Sequence, residues 1–474
     1  MDERELAFTP AWRQREMVAT KQVSPVELTE LYLRRIERLN PSLNAYLTVC
    51  ADEALAAAKE AEAKAMRGGN LPPLHGVPLS LKDLELTRGV RTTLGSLVFK
   101  DAVPDRDSVV VERVRAAGGI ILGKSNTPEF GLSAVTENRL GGPCRNPWDT
   151  ERTTGGSSGG AGAALAAGLC AVATGSDGGG SIRIPAALCG VFGIKPSQGR
   201  VPRAGGFGKP EPNQFAQSGP MSNNVRDAAI LLQVLSGPDP RDPSPYMRVE
   251  PPDFVASLDQ GVKGLRIGWS PDFGYGAVDP QVARTTHEAA RIFEKLGCTL
   301  EEVEIALDLE ELHPHFWNIF TANDYAAYGD LLEERSDDLT GYARAALEWG
   351  RSVTGAQYAQ SVRAVFQLRL YFKELMERYD LLLTPTTSIP AFRFDDRPRV
   401  IAGRKVHPFW GFYPYTFCTN MAGYPAASVP CGFHQGLPLG LHIVARMGDD
   451  ALVLRAAAAF EEARPWAARR PDIA

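Results

Sequence analysis

The sequence has no block of like charge. Its 51 basic against 56 acidic residues leave a formal net charge of −5, so it lacks the basic footprint of a nucleic-acid binder and no nucleic-acid partner is expected. It also has no CxxC pair. The seven cysteines, at 50, 144, 170, 189, 298, 418 and 431, are odd in number and scattered, so neither a disulfide framework nor a zinc site is implied, and no metal or other cofactor is expected. Such usage fits a reducing cytosol. Long apolar runs are missing as well. The most apolar stretch, Ala161 to Ala173, is too short and too rich in small residues to span a bilayer. The opening Met-Asp-Glu-Arg-Glu has neither the basic start nor the apolar core of a signal peptide. A soluble, cytoplasmic chain with no membrane partner is expected, as a monomer or homodimer. No internal repeat is present.

What is there is an ordinary globular composition, 44% hydrophobic and 23% charged, which excludes disorder as the main state. At about 150 residues per domain, the 474 residues would suggest two or three domains. Residues 25–39 carry apolar side chains at helical spacing behind Ser24 as N-cap, Pro25 at the first helical position and Glu27 at the third. Asp52 to Arg67 and Asp107 to Ala117 read as further helices closed by glycine pairs, so residues 1–70 form a mostly helical N-terminal region. Short apolar runs at Val77–Leu81, Ile120–Leu122, Leu265–Trp269, Leu381–Leu383, Ala427–Val429 and Leu439–Val444 read as strands. Strands separated by helices imply an α/β sheet covered on both faces. Residues 305–380 are nearly all helical and hold the aromatic cluster Phe316, Trp317, Phe320, Tyr325 and Tyr328. They are expected to form a helical insertion near the substrate cleft. Gly237 to Pro252 is rich in Pro, Asp and Ser, as a linker or a surface loop would be.

The least ordinary segment is Thr153 to Ala186, two Gly-Ser clusters flanking a helix of small residues. A flexible linker is one reading, weakened by that helix and by Ile182-Arg183-Ile184-Pro185. Gly155 to Gly159 matches the GxSxG elbow of α/β-hydrolases, but the residues before it do not form the apolar strand an elbow requires. Gly118 to Ser125 matches a phosphate loop, yet its Ile-Ile-Leu centre wants to be a buried strand and a helix precedes it, so Lys124 reads as a strand-end lysine. The last reading joins the serines to Lys82. Gly178, Gly179 and Gly180 before Ser181 allow a turn whose N–H groups converge on an oxyanion beside a serine nucleophile. The histidines (75, 287, 313, 315, 407, 434, 442) are scattered, and none is near either cluster. Lys82, ending an apolar run where desolvation would lower its pKa, is the alternative base. Without a partner serine it would pair with Asp83.

These segments resemble the amidase signature hydrolases. The Gly-Ser block, Gly155 to Gly160 and Gly175 to Ala186, is joined by Gly76 to Asp83, Leu122 to Phe130, Arg145 to Trp148, Gly190 to Pro196 and Gly423 to Ser428, so the resemblance spans nearly the whole chain. It implies Ser181 as nucleophile, Ser157 as a bridging serine in a cis-peptide context, and Lys82 as base. It also implies an oxyanion hole from the N–H groups of Gly178, Gly179, Gly180 and Ser181. Asp177 and Arg183 would hold the shape of the turn, unless they are only a local surface ion pair, and Ser158 could support Lys82 by a hydrogen bond. Gly178 replaces the bulkier residue often found there. The implied fold is one α/β domain over residues 1–474, a large twisted mixed β-sheet covered by helices on both faces, rather than several domains.

Three functions follow from the resemblance: a stand-alone amidase acting on a small-molecule amide, anilide, ester or carbamate; the glutamine-hydrolysing subunit of a tRNA-dependent amidotransferase; or a dead scaffold. The scaffold is disfavoured because Lys82, Ser157 and Ser181 are all present. Glutaminase subunits usually carry Gln where this chain has Ile184, so an apolar acyl group is expected. The aromatic run Phe409, Trp410, Phe412, Tyr413, Tyr415 and Phe417, with Phe316, Trp317 and the loop Gly205–Gly208, suggests a hydrophobic cleft. The sequence most resembles the stand-alone bacterial branch.

Overall fold

The computed structural model describes residues 2–203, 214–242 and 249–473. One eleven-stranded mixed sheet collects strands from along the chain: β1 (Tyr46–Val49), β2 (Pro78–Lys82), β3 (Ile120–Ser125), β4 (Val172–Asp177), β5 (Phe192–Lys195), β6 (Gln217–Ser222), β7 (Arg266–Trp269), β8 (Thr299–Glu302), β9 (Leu381–Pro385), β10 (Ala426–His434) and β11 (Leu437–Val444). Their order is β1-β3-β2-β4-β6-β5-β10-β11-β9-β7-β8. The pairs β3–β2, β2–β4, β9–β7 and β7–β8 run parallel, and the hairpin β10–β11 is antiparallel. Helices cover the sheet, as expected of strands buried along their length.

Helix α1 (Pro25–Leu43) starts at the anticipated capping box: the Ser24 hydroxyl accepts from Val26 N–H at 2.9 Å and Glu27 accepts from Ser24 N–H at 2.8 Å. Its apolar stripe, Leu28, Leu31, Tyr32, Ile36, Leu39 and Leu43, is buried. The two other predicted helices are α2 (Ala51–Arg67) and α3 (Val109–Ala116). The small-residue helix α4 (Gly159–Ala166) is buried on every face. Close packing demands that composition: a Cβ on Gly160 would lie 2.2 Å from Asn126 N and 2.5 Å from Ala45 O. Helix α5 (Arg183–Cys189) follows the second glycine cluster. The expected helices between 305 and 380 include α6 (Leu309–Tyr328), α7 (Gly341–Ser352) and α8 (Gly355–Arg378), the last two each packed on α6, which contributes Phe316 and Phe320 to a core separate from the main one.

The linker-like segment from Gly237 joins β6 and the helix Val225–Leu235 to β7 of the same sheet, and Arg113 holds its start through the Gly237 and Pro238 carbonyls at 3.1 and 3.0 Å. The loop Gly205–Gly208 lies outside the described residues. All seven cysteines are free and buried. Among the described residues, no helix is long and apolar enough to cross a membrane.

Candidate active site

Lys82 is the last residue of β2 and Asp177 the last of β4. These neighbours run parallel, so both residues reach the same edge of the sheet. Past Asp177 the chain turns through Gly178, Gly179, Gly180 and Ser181 into helix α5. Gly180 has φ +135°, and a Cβ there would lie 2.3 Å from Thr416 Oγ1 and 2.7 Å from Ile184 Cδ1, so only glycine fits.

The Asp177 carboxylate organises the turn. It accepts from Gly180 N–H at 2.7 Å and from Ile182 N–H at 3.1 Å. The Arg183 guanidinium grips it through Nε–Oδ2 and Nη2–Oδ1, both 2.9 Å. Both side chains are fully buried, so the surface ion-pair alternative does not hold. Burial alone would raise the Asp177 pKa; the charge and hydrogen bonds of Arg183 overcome it and hold the carboxyl well below the usual range. One expectation is narrowed here. The Gly180 N–H, anticipated as an oxyanion donor, is already spent on Asp177, because its short side chain bends back over its own turn.

Helix α9 (Thr416–Ala422) braces this unit from far along the chain. Asn420 Nδ2 donates to the Asp177 carbonyl and Oδ1, each at 2.9 Å, and Thr416 Oγ1 donates to Gly179 O at 2.6 Å. Arg183 Nη1 reaches Thr419 Oγ1 at 2.7 Å and His442 Nε2 at 2.9 Å. A guanidinium only donates, so Nε2 accepts and His442 is neutral with its proton on Nδ1, facing Thr384 Oγ1 at 3.3 Å. Burial and the Arg183 charge hold its pKa well below the usual value.

Lys82 is fully buried, and its Nζ donates to Ser157 Oγ at 2.7 Å, Ser176 Oγ at 2.9 Å and Ser176 O at 3.2 Å. The Gly156–Ser157 peptide is cis. Ser158 N–H donates to Ser181 O at 3.0 Å, tying the two serine clusters together. The Ser158 hydroxyl bonds Ser176 instead of acting directly on the lysine: it donates to Ser176 O at 3.2 Å and accepts from Ser176 N–H at 3.3 Å. Its support of Lys82 therefore passes through Ser176, a residue that no sequence motif singled out. Asp83 belongs to the neighbouring lysine: Lys124 Nζ lies 3.7 Å from Asp83 Oδ1, both fully buried, and donates to Thr92 Oγ1 at 2.9 Å. Lys124 is a strand residue of β3, as its apolar surroundings suggested.

Ser181, more exposed than Ser157, borders two chambers. The larger, about 250 Å³, is apolar and lined by Ile184, Phe316, Trp317, Phe409 and Trp410 as expected, with Tyr342, Ala346 and Trp349 from α7. Phe412 is not among its walls. That side chain is fully buried against Phe392 at 4.9 Å between ring centres, its carbonyl held by Ser388 N–H at 2.9 Å, and Tyr413 lines the chamber instead. Trp410 is stacked between His407 at 3.2 Å and His313 at 4.0 Å. The smaller chamber, about 90 Å³, is bordered by Ser157, Ser176 and Gly178 with Glu85, Ser218 and Asp324.

The family model for Amidase matches residues 27–454. Among characterised proteins, the acylamidase of Rhodococcus erythropolis is 38% identical over 480 residues, covering 99% of this chain and 98% of that one. A glutamyl-tRNA(Gln) amidotransferase subunit from Moorella thermoacetica is also 38% identical, over 497 residues and 99% of both chains. Among solved structures, a bacterial aryl acylamidase of the amidase signature family superposes with a TM-score of 0.92 at 33% identity, covering 97% of each chain.

Proposed function

The chain belongs to the amidase signature family and is an amidase, and on that premise we propose that it cleaves the carbon–nitrogen bond of a small-molecule amide through an acyl-enzyme on Ser181. The observation that carries this reading is the 2.7 Å contact from Lys82 Nζ to Ser157 Oγ, with Ser157 and Ser181 bordering one chamber. A serine hydroxyl attacks poorly until a base takes its proton. In the neutral form that acts as base, Lys82 turns its lone pair to Ser157, so the 2.7 Å contact runs from the Ser157 hydroxyl to Nζ; Lys82 accepts that proton while Ser157 takes that of Ser181, and Ser181 Oγ bonds the carbonyl carbon. The developing oxyanion faces the N–H groups of Gly178, Gly179 and Ser181, which are fixed before the reaction and need not reorganise. Run backward, the relay protonates the nitrogen as its bond to carbon breaks, and water activated by the same relay frees the acid.

Ile184 and the aromatic chamber favour an apolar or aryl acyl group, in amides, anilides, aryl carbamates or esters. A second reading, the glutaminase subunit, draws on the equal 38% identity to the amidotransferase protein. Against it, the acyl half of glutamine carries an α-ammonium and an α-carboxylate, and these charged groups would lose their water in the apolar chamber without gaining partners. The test is the purified chain alone on a phenylacetyl p-nitroanilide, an aryl carbamate, a p-nitrophenyl ester and glutamine. Turnover of the first three with little of glutamine, and a fluorophosphonate adduct on Ser181 lost in Ser181→Ala, is the expected result. An adduct on Ser157 would overturn the assignment. Silence until a second protein component is supplied would put the amidotransferase reading in its place.

A further inference from the structure

The aromatic chamber is not the only cavity that Trp410 borders. Another, about 190 Å³, has Trp410 and His407 among its lining residues as the aromatic chamber does, so these two rings form a wall common to both. Ser181 borders the aromatic chamber and not this one. Leu309, Val406 and Pro414 give the outer cavity apolar walls, and the exposed Asp308, Glu310 and Lys405 complete its border.

The shared wall is built as a stack. His407 covers one face of the Trp410 indole, with ring centres 3.2 Å apart and planes 7° from parallel, and His313 of helix α6 covers the other at 4.0 Å and 20°. With both faces taken, the indole meets the two cavities with its edge, where the ring hydrogens carry positive charge and suit the face of an aryl group. His313 is 4% exposed, packs also against Phe417 at 5.5 Å, and among the described residues its buried Nε2 has no hydrogen-bond partner. It therefore acts through the face of its ring, as a backing for the indole. The turn that carries His407 and Trp410 is held by its own backbone: Gly411 N–H donates to His407 O at 2.8 Å and Tyr413 N–H to Trp410 O at 3.2 Å. Taking the indole away thus opens the wall without removing a bond from the turn. On the amide-hydrolysis reading, on which this inference rests, the acyl group occupies the aromatic chamber. From the shared wall and its two-sided stack, we infer that Trp410 sets the length of that acyl group by closing the aromatic chamber against the outer cavity. Compact, aryl-sized acyl groups fit in front of the indole edge, and extended linear ones are turned away by it.

The experiment holds the leaving group constant as p-nitroaniline and varies the acyl group from acetyl to dodecanoyl, with phenylacetyl as the compact reference. In wild type, kcat/KM should climb with chain length and then fall once the chain meets the indole. Trp410→Ala should remove the fall and raise the dodecanoyl-to-phenylacetyl ratio by roughly tenfold or more, the gain from burying about two further methylenes. His407→Ala takes the other shared ring from an exposed site and should move the ratio in the same direction, so the inference does not hang on one variant folding. Leu309→Trp, which fills the outer cavity, should reverse the gain when combined with either. The ratio is the readout because a general loss of fold or rate cancels in it. A wild-type rate that climbs all the way to dodecanoyl, a ratio unmoved in both Trp410→Ala and His407→Ala, or a gain that Leu309→Trp leaves in place would overturn the inference. If Ser181 is labelled by a fluorophosphonate and the phenylacetyl anilide is cleaved while the ratio stays flat, only the length limit is wrongly assigned. If no amide is cleaved and Ser181 is not labelled, the hydrolase reading fails and takes the inference with it.

Discussion

Arg183 holds Asp177 with two parallel hydrogen bonds of 2.9 Å, both residues fully buried, and the same carboxylate anchors the glycine turn through Gly180 N–H. Removing one member of a buried pair leaves the other charge without compensation, a loss of about 3–5 kcal/mol. Arg183→Lys keeps the charge but not the planar fork that meets both carboxylate oxygens. Urea unfolding should show both Arg183→Lys and Asp177→Asn strongly destabilised, with kcat falling even where the variants remain folded. A variant of full stability and normal kcat would mean that the turn keeps its shape without the pair.

Lys82 and Ser157 act as one relay in the proposed mechanism. Lys82→Ala should lower kcat/KM at least about 10²-fold, the low end for general acid–base catalysis. Residues that act as a unit are far from additive. The Lys82→Ala/Ser157→Ala double variant should therefore lose little more than the worse single variant. Losses that multiply would place the two residues in separate roles.

How much of this was legible in the sequence depends on how local each feature is. The start of α1 could be read because Ser24, Pro25 and Glu27 act within one turn. The chemistry of Lys82, Ser157 and Ser181 could be read because a glycine turn and paired serines have few other uses. Strand β4 escaped notice since Val-Ala-Thr-Gly-Ser-Asp is buried between two neighbours and shows no alternation. Strand β6 hid behind Gly219 and Pro220, residues that usually punctuate strands. The bracing by Thr416 and Asn420 comes from residues 237 and 243 positions away from their partners, a distance no local pattern spans. The aromatic run at 409–417 gave the chamber its composition but not its orientation, so Phe412 was placed where Tyr413 stands. The missed wall from α7 did leave a signal: Tyr342, Ala345, Ala346 and Trp349 sit at helical spacing on one face.

The aromatic chamber predicts an acyl-group preference that can be measured against its wall. Each buried methylene contributes about 0.8 kcal/mol, so phenylacetamide should outrank acetamide by tenfold or more in kcat/KM. Ile184→Gln should narrow that gap by setting a polar group beside the acyl substituent, and Trp410→Ala should narrow it by removing wall area. Equal ratios in wild type and both variants would show that the acyl group does not enter this chamber.

A last prediction concerns stability rather than catalysis. Asp227, fully buried near the start of the helix Val225–Leu235, accepts the Ala11 and Trp12 N–H groups at 2.8 Å each and so fastens the N-terminal helix Ala11–Ala19 to the body. Burial pushes its pKa up to about 6, and the bonds from Asn224, Trp12 and Ala11 only partly offset that. The unfolded carboxyl titrates near 3.9. Between about pH 4 and 6 the folded chain therefore holds a proton that the unfolded chain has released, so this group favours folding at low pH and its penalty is complete above about 6. Glu461, pushed up to about 7 by burial with the Asp227 charge adding to it, works in the same direction over a slightly higher window. Replacing Asp227 by Asn removes the titration and some of the anchoring. The stability advantage of wild type over Asp227→Asn, measured by urea unfolding, should be larger at pH 4.5 than at pH 7.5 by on the order of 2 kcal/mol. An advantage that grows with pH instead would mean that the folded protein binds the charged carboxylate better than water does, and the burial argument would be wrong in sign.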